Sequence, residues 1–176
     1  MIAGLFPIAA FAEDGASTTK TIYVDANATN DDGTGSTYKT LAAAVNAANL
    51  GDTIELKSNL EIGKGPSNNI VVDKAITIDG KNFSITKSFN TAVNADGYGD
   101  YEAVFQITST AGATIKNVKI TGLEDGNKDE AGIYIKAGAT ATIQNCTFQG
   151  ETKDGNKYGC AGIITEGNSS KGLTVS

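Results

Sequence analysis

Short runs of alternating apolar and polar residues fill most of the chain. TIYV (21–24), TIEL (53–56), NIVV (69–72), ITI (76–78), FSI (83–85), VFQI (104–107), IYI (133–135) and GII (162–164) each read as a strand. Gly, Asn and Asp cluster between them, as residues of tight turns do. One stretch departs from this rhythm. Tyr38, Leu41, Val45 and Ala48 stand at i, i+3, i+7 and i+10, the spacing of one helical face, with three consecutive alanines among them. The spacing predicts a helix over about 37–50, with Ser36 or Thr37 as its cap and Gly51 closing its end.

The pattern also repeats. TIKNVKITG (114–122) returns 28 residues later as TIQNCTFQG (142–150). AVFQI, AGIYI and AGIIT begin at Ala103, Ala131 and Ala161, spacings of 28 and 30. Asp96, Asp125 and Asp154 each open an Asp-Gly turn ahead of those runs, 29 residues apart both times. The final GLTVS is expected to set Leu173 over Ile143 and Ile115, so the chain is read as stopping inside a further copy, before its Asn and Gly. A repeat of this length, built of short strands without a helix, predicts a coil whose strands pair in parallel one turn apart, with rungs about 4.8 Å apart. Each Ile then stacks on the Ile of the next rung, and Asn117 stacks on Asn145 as an inward amide ladder. A single rung cannot bury its own face, and the one helix, placed before the first rung, is the expected cap of the stack.

Composition narrows the chemistry. The 176 residues fit one domain, and its 14 basic residues are all Lys, against 20 carboxylates and no His, for a net charge of −6. Without Arg or His the chain lacks the bidentate anion fork and the neutral-pH proton carrier, and its acidity excludes nucleic acid as a partner. The opening MIAGLFPIAAFAED has the apolar core and small-x-small pattern of a secretory signal, with cleavage expected after Ala12. Residues 13–176 then form the mature domain, with rungs from residue 53, secreted or at the cell surface. Elsewhere no apolar run is long enough to span a bilayer. Cys146 takes the place of Val118 in the repeat, as a buried thiol would, and a bridge to Cys160 is the other reading.

IYVDANATNDDGTG, YKTLAAAVNAANLGDTIEL, ITIDGKNFSI and the two TIxNxx(I/F)xG rungs together resemble the right-handed parallel β-helix, or pectin-lyase-like, superfamily. The likeness is to the N-terminal part of extracellular bacterial members and covers most of residues 21–176. It implies an all-β solenoid in which the helix caps the first coil and GDTIEL leads into it. For function it implies little, because the superfamily holds pectate lyases, polygalacturonases, chondroitin-type lyases, phage tailspikes, adhesins and noncatalytic surface proteins. Lyases of this kind use Ca²⁺-binding carboxylates and an Arg or Lys base, and the hydrolases use clustered Asp with His and a basic residue nearby. No position here matches the Arg- or His-dependent patterns.

The candidate surface is the row of Asp-Gly loops. Asp96, Tyr98, Asp100, Tyr101 and Glu102 belong to the first, Asp125, Asp129 and Glu130 to the second, and Asp154 and Tyr158 to the third. Stacked carboxylates offer hard oxygen ligands to Ca²⁺, and tyrosines pack against sugar faces. Asp-Gly also simply makes turns, and the charges keep loops soluble. Asp25, Asp31 and Asp32 crowd one loop like a Ca²⁺ site, without the spacing of an EF-hand, and capping turns explain them equally. NAT (27–29), NFS (82–84), NCT (145–147) and NSS (168–170) fit glycosylation sequons, of which NCT falls in the expected ladder. The reading these features favour is a noncatalytic secreted or cell-surface domain whose loops contact a polysaccharide or a host or cell-surface glycan. The alternative is the N-terminal part of a polysaccharide lyase or glycoside hydrolase with catalytic rungs beyond Ser176.

Overall fold

The computed structural model describes residues 18–63, 65–88, 102–123, 130–150, 152–153, 156–157, 161–167 and 172–176. It opens with β1 (Thr21–Val24), β2 (Thr37–Tyr38) and helix α1 (Leu41–Ala47). Three trios of strands follow: β3 (Thr53–Leu56), β4 (Leu60–Ile62) and β5 (Ile70–Val72); β6 (Thr77–Asp79), β7 (Ser84–Lys87) and β8 (Glu102–Ile107); β9 (Ala113–Lys116), β10 (Lys119–Leu123) and β11 (Glu130–Ile135). A fourth circuit holds β12 (Ala141–Gln144), β13 (Thr147–Gly150), the small antiparallel pair β14 (Thr152–Lys153) and β15 (Asn156–Lys157), and β16 (Ala161–Thr165). The last strand is β17 (Leu173–Val175).

Each circuit places one strand in each of three parallel sheets. The first sheet runs β17-β12-β9-β6-β3-β1-β2, the second β13-β10-β7-β4, and the third β16-β11-β8-β5. The molecule is predominantly β, with one α-helix among the described residues, and its topology is consistent with an all-β parallel solenoid.

Register explains why the pattern repeats. In the first sheet Ile22, Ile54, Ile78, Ile115 and Ile143 pair in succession, and all five are buried. Leu60, Ile85, Ile120 and Phe148 form the matching inward column of the second sheet. Ile70, Phe105, Ile133 and Ile163 form that of the third. The columns belong to one core, and each fully buried aliphatic side chain contributes about 1.5–3 kcal/mol. A one-residue slip would turn a whole column outward, which makes register costly to change. Gly132 marks how closely the sheets approach: a Cβ there would lie 2.5 Å from the Phe148 ring.

Several expectations need correction. The helix is shorter than 37–50, because Thr37 and Tyr38 pair with Tyr23 and Val24 as strand. Its cap is Thr40, whose Oγ1 accepts the Ala43 N–H at 3.3 Å. Its far end is held not by Gly51 but by Lys74, whose Nζ donates to the carbonyls of Val45, Asn46 and Ala48 at 3.0, 3.0 and 2.9 Å. Leu41, Ala44, Val45 and Ala48 are buried against the core. LEI at 60–62 is a strand that the sequence pattern did not single out, being short and interrupted by Glu61. At the other end, Leu173 pairs with Ala141 and Val175 with Ile143, two residues away from the expected alignment. Both alignments keep an apolar residue inward. In the observed one, Ser176 N–H donates to Ile143 O at 3.0 Å and Asn145 N–H donates to Ser176 O at 2.9 Å.

Candidate functional site

The long connections that carry the Asp-Gly turns all join the second sheet to the third: β7 to β8, β10 to β11, and β13 to β16. Lys119 and Ile120 stack between Ser84 and Ile85 below and Thr147 and Phe148 above, while Ala103, Ala131 and Ala161 are in register on the other side. The three connections therefore leave and re-enter the molecule one above another along one edge. Asp96, Tyr98, Asp100, Tyr101, Asp125, Asp129, Asp154 and Tyr158 lie outside the described residues. Glu130 begins β11, in register with Glu102 of β8.

Glu102, which the sequence groups with the first loop, is not exposed. Its carboxylate is buried, accepts the Gly65 N–H at 2.5 Å, and stands 3.8 Å from Lys87 Nζ. Lys87 is fully buried and donates to the carbonyls of Gly63 and Gly65 at 3.2 and 3.1 Å. Burial pushes its ammonium down to about 8, against the opposing pull of Glu102. Lys87 ends β7 and Glu102 begins β8, so this ion pair closes the neck of the 88–101 connection and ties it to the preceding circuit. No local motif announces such a pair, since 14 residues separate its members and only the fold brings them together.

In the 25–36 loop each aspartate works as a local acceptor. Asp25 Oδ1 takes the Asn27 N–H at 2.9 Å and the Asn27 side-chain amide at 3.0 Å, and these bonds, the backbone one foremost, hold its carboxyl below the ordinary value. Asp32 Oδ1 takes the Thr34 hydroxyl at 2.6 Å and the Thr34 N–H at 3.0 Å, and is lowered for the same reason. Asp31 reaches furthest: its oxygens accept the N–H groups of Lys39 and Thr40, both at 2.8 Å, and the Thr40 hydroxyl at 2.5 Å. Partial burial pushes Asp31 up, but those hydrogen bonds outweigh it and lower the carboxyl. Asp31 thus orients the residue that caps α1. Among the described residues no group of three or more His, Cys, Asp or Glu side chains is placed to hold a metal ion.

Asn117 and Asn145 both adopt positive φ, 52° and 51°, at the corner between the first and second sheets, a conformation Asn tolerates better than most residues. Asn145 Nδ2 donates to Asn117 Oδ1 at 3.4 Å, and Asn117 Nδ2 donates to Asp79 Oδ1 at 3.0 Å. Asp79 was not among the residues that the sequence pattern singled out. Its carboxylate also accepts the Lys81 N–H at 3.0 Å and lies 3.5 Å from Lys116 Nζ. Burial raises Asp79, yet Asn117, the Lys81 amide and the two lysines bring it below the ordinary value. The ladder is less inward than expected, for Asn145 is exposed. Cys146 carries a free thiol that donates to the carbonyls of Ile115 and Gln144 at 3.6 and 3.4 Å, and burial pushes its pKa up. Cys160 lies outside the described residues.

No helix among the described residues is long and apolar enough to cross a membrane. Set against protein-family models, curated proteins and solved structures, the chain matches none.

Proposed function

We propose that the chain is a right-handed parallel β-helix of the pectin-lyase-like kind, exported to the cell surface or medium, and that it acts there as a noncatalytic glycan-contact domain. The observation that supports this reading most is topological. Three connections that carry Asp, with Tyr in the first and third, depart from one edge of the stack, on three successive circuits in register. Strands of a parallel stack repeat about every 4.8 Å, a spacing suited to a linear ligand, and carboxylates and aromatic rings are side chains that contact sugars. Several described carboxylates are engaged in building the scaffold: Asp31 in the helix cap, Asp79 in the ladder, and Glu102, with Lys87, in the neck.

The test is titration of the protein with defined uronate and neutral oligosaccharides, followed by calorimetry, with Tyr98→Ala/Tyr101→Ala as the paired variant. Stacking on two rings predicts a loss of at least tenfold in affinity, with the melting midpoint unchanged. Equal binding by the variant would remove the loops from the reading. A rise in ultraviolet absorbance from unsaturated uronates during incubation would replace it with a lyase.

A further inference from the structure

β1 continues the first sheet beyond β3, and α1 packs over β5, but among the described residues no strand continues the second sheet beyond β4. Ser88 N–H donates to Ile62 O at 3.3 Å, so the backbone groups of Ile62 face β7. In a strand the neighbouring residue points its N–H and C=O the other way, which aims those of Glu61 at the open edge. Along this edge runs a cavity of about 370 Å³ between β4, the start of α1 and residues 67–70. Leu41, Leu60, Ile62 and Ile70 line its apolar part. Lys39 and Glu61 line it too, both exposed, and neither forms a salt bridge among the described residues.

We propose that the open edge of β4 docks an extended peptide in parallel register, its apolar side chains entering the cavity beside α1 and a basic side chain lying against Glu61. Three features converge on that occupant. An unpaired strand residue offers one donor and one acceptor at the spacing of another strand, and the adjoining cavity takes alternate side chains. The inward column Leu60, Ile85, Ile120 and Phe148 shows what the next side chain down must be: apolar and large. The outward position at that level carries the exposed carboxylate of Glu61, which has no salt-bridge partner among the described residues and which a lysine or arginine complements.

The probe is acetyl-Thr-Ile-Lys-Ile-Thr-amide, titrated into the isotope-labelled full chain and followed by amide chemical shifts. Saturable shifts are expected at Thr40, Glu61, Ile62 and Asn69. Replacing the peptide's Lys by Glu should weaken binding about two- to fivefold, the range of an exposed ion pair. Glu61→Pro removes the edge N–H without touching the groups that bond β7, and should weaken binding at least tenfold. Glu61→Lys, a surface change that keeps the strand, should invert the preference between the Lys and Glu peptides. Absence of saturable shifts, or an unchanged preference in Glu61→Lys, overturns the proposal. So does evidence that another occupant holds the edge: a dimer that Glu61→Lys dissociates, or movement of the Glu61 amide when residues 1–17 are deleted without added peptide.

Discussion

Lys87 and Glu102 carry the largest single-residue consequences. A buried ammonium and a buried carboxylate each lose most of their hydration, and they are tolerated because each completes the other and both bind the Gly63–Gly65 backbone. Lys87→Met leaves Glu102 without that partner and should cost about 3–5 kcal/mol by urea denaturation. Lys87→Met combined with Glu102→Leu should recover most of that loss, because the desolvation of both charges disappears together. Gly132→Ala tests the tightest inter-sheet approach. Its methyl would meet the Phe148 ring at 2.5 Å and the Gly162 carbonyl at 2.8 Å, an overpacking expected to cost about 1–3 kcal/mol.

At the scale of elements, α1 is a seven-residue helix that would not persist alone, and its two ends are held by groups outside it. Asp31 organises the N-terminal end through Thr40, and Lys74 satisfies three carbonyls at the other. Lys74→Met should lower stability by about 1–3 kcal/mol, since it strips donors from carbonyls and removes a cation from the negative end of the helix. Asp31→Ala should cost about 1–2 kcal/mol, the range of a lost cap. The amide ladder behaves as an element too. Asp79→Ala removes the acceptor for Asn117 and for the Lys81 amide, so it should destabilise more than Asn145→Ala, whose side chain is exposed. Equal losses for the two variants, read from thermal midpoints, would show that Asp79 contributes nothing beyond the turn.

For the whole molecule, the titrating groups give stability two pH windows. Asp25, Asp31, Asp32 and Asp79 have folded values below the 3.8 of the free carboxyl. Their stabilisation is complete above that value and is lost as pH falls through the lowered ones. Lys87 acts in the opposite range. Its folded value of about 8 lies below the free 10.5, so the folded state holds fewer protons between the two. Stability from this group therefore rises with pH across that interval, and the penalty of burying the charge is fully present below it. Urea midpoints across the alkaline range should show the rise in the native chain and not in Lys87→Met/Glu102→Leu. Asp79→Asn with Asp31→Asn should flatten the acid limb.

The sequence by itself determined the repeat, the parallel strands and the single helix. Their cause is local: a period of two with a large apolar residue, most often Ile, at the inward positions, Asn or Gly at most of the positions where φ turns positive, and one run of helical spacing. Most strands stand where the apolar runs stand, and Asn117 and Asn145 occupy the turn their residue type suits. Only the tertiary structure decided the rest. Whether Thr37 begins a helix or pairs with Tyr23 depends on β1 lying beside it. Whether Leu173 or Val175 sits over Ile143 depends on the backbone pairing of β17 with β12, because a two-residue shift leaves the apolar face unchanged. Asp79 joins the ladder and Lys74 reaches the helix end because stacking brings together residues 38 and 26 positions apart, while Lys87 meets Glu102, 15 positions on, within its own circuit. Period and composition describe neighbours along the chain. Many of the polar contacts that hold this molecule join residues distant along the chain, which only the three-dimensional fold places together.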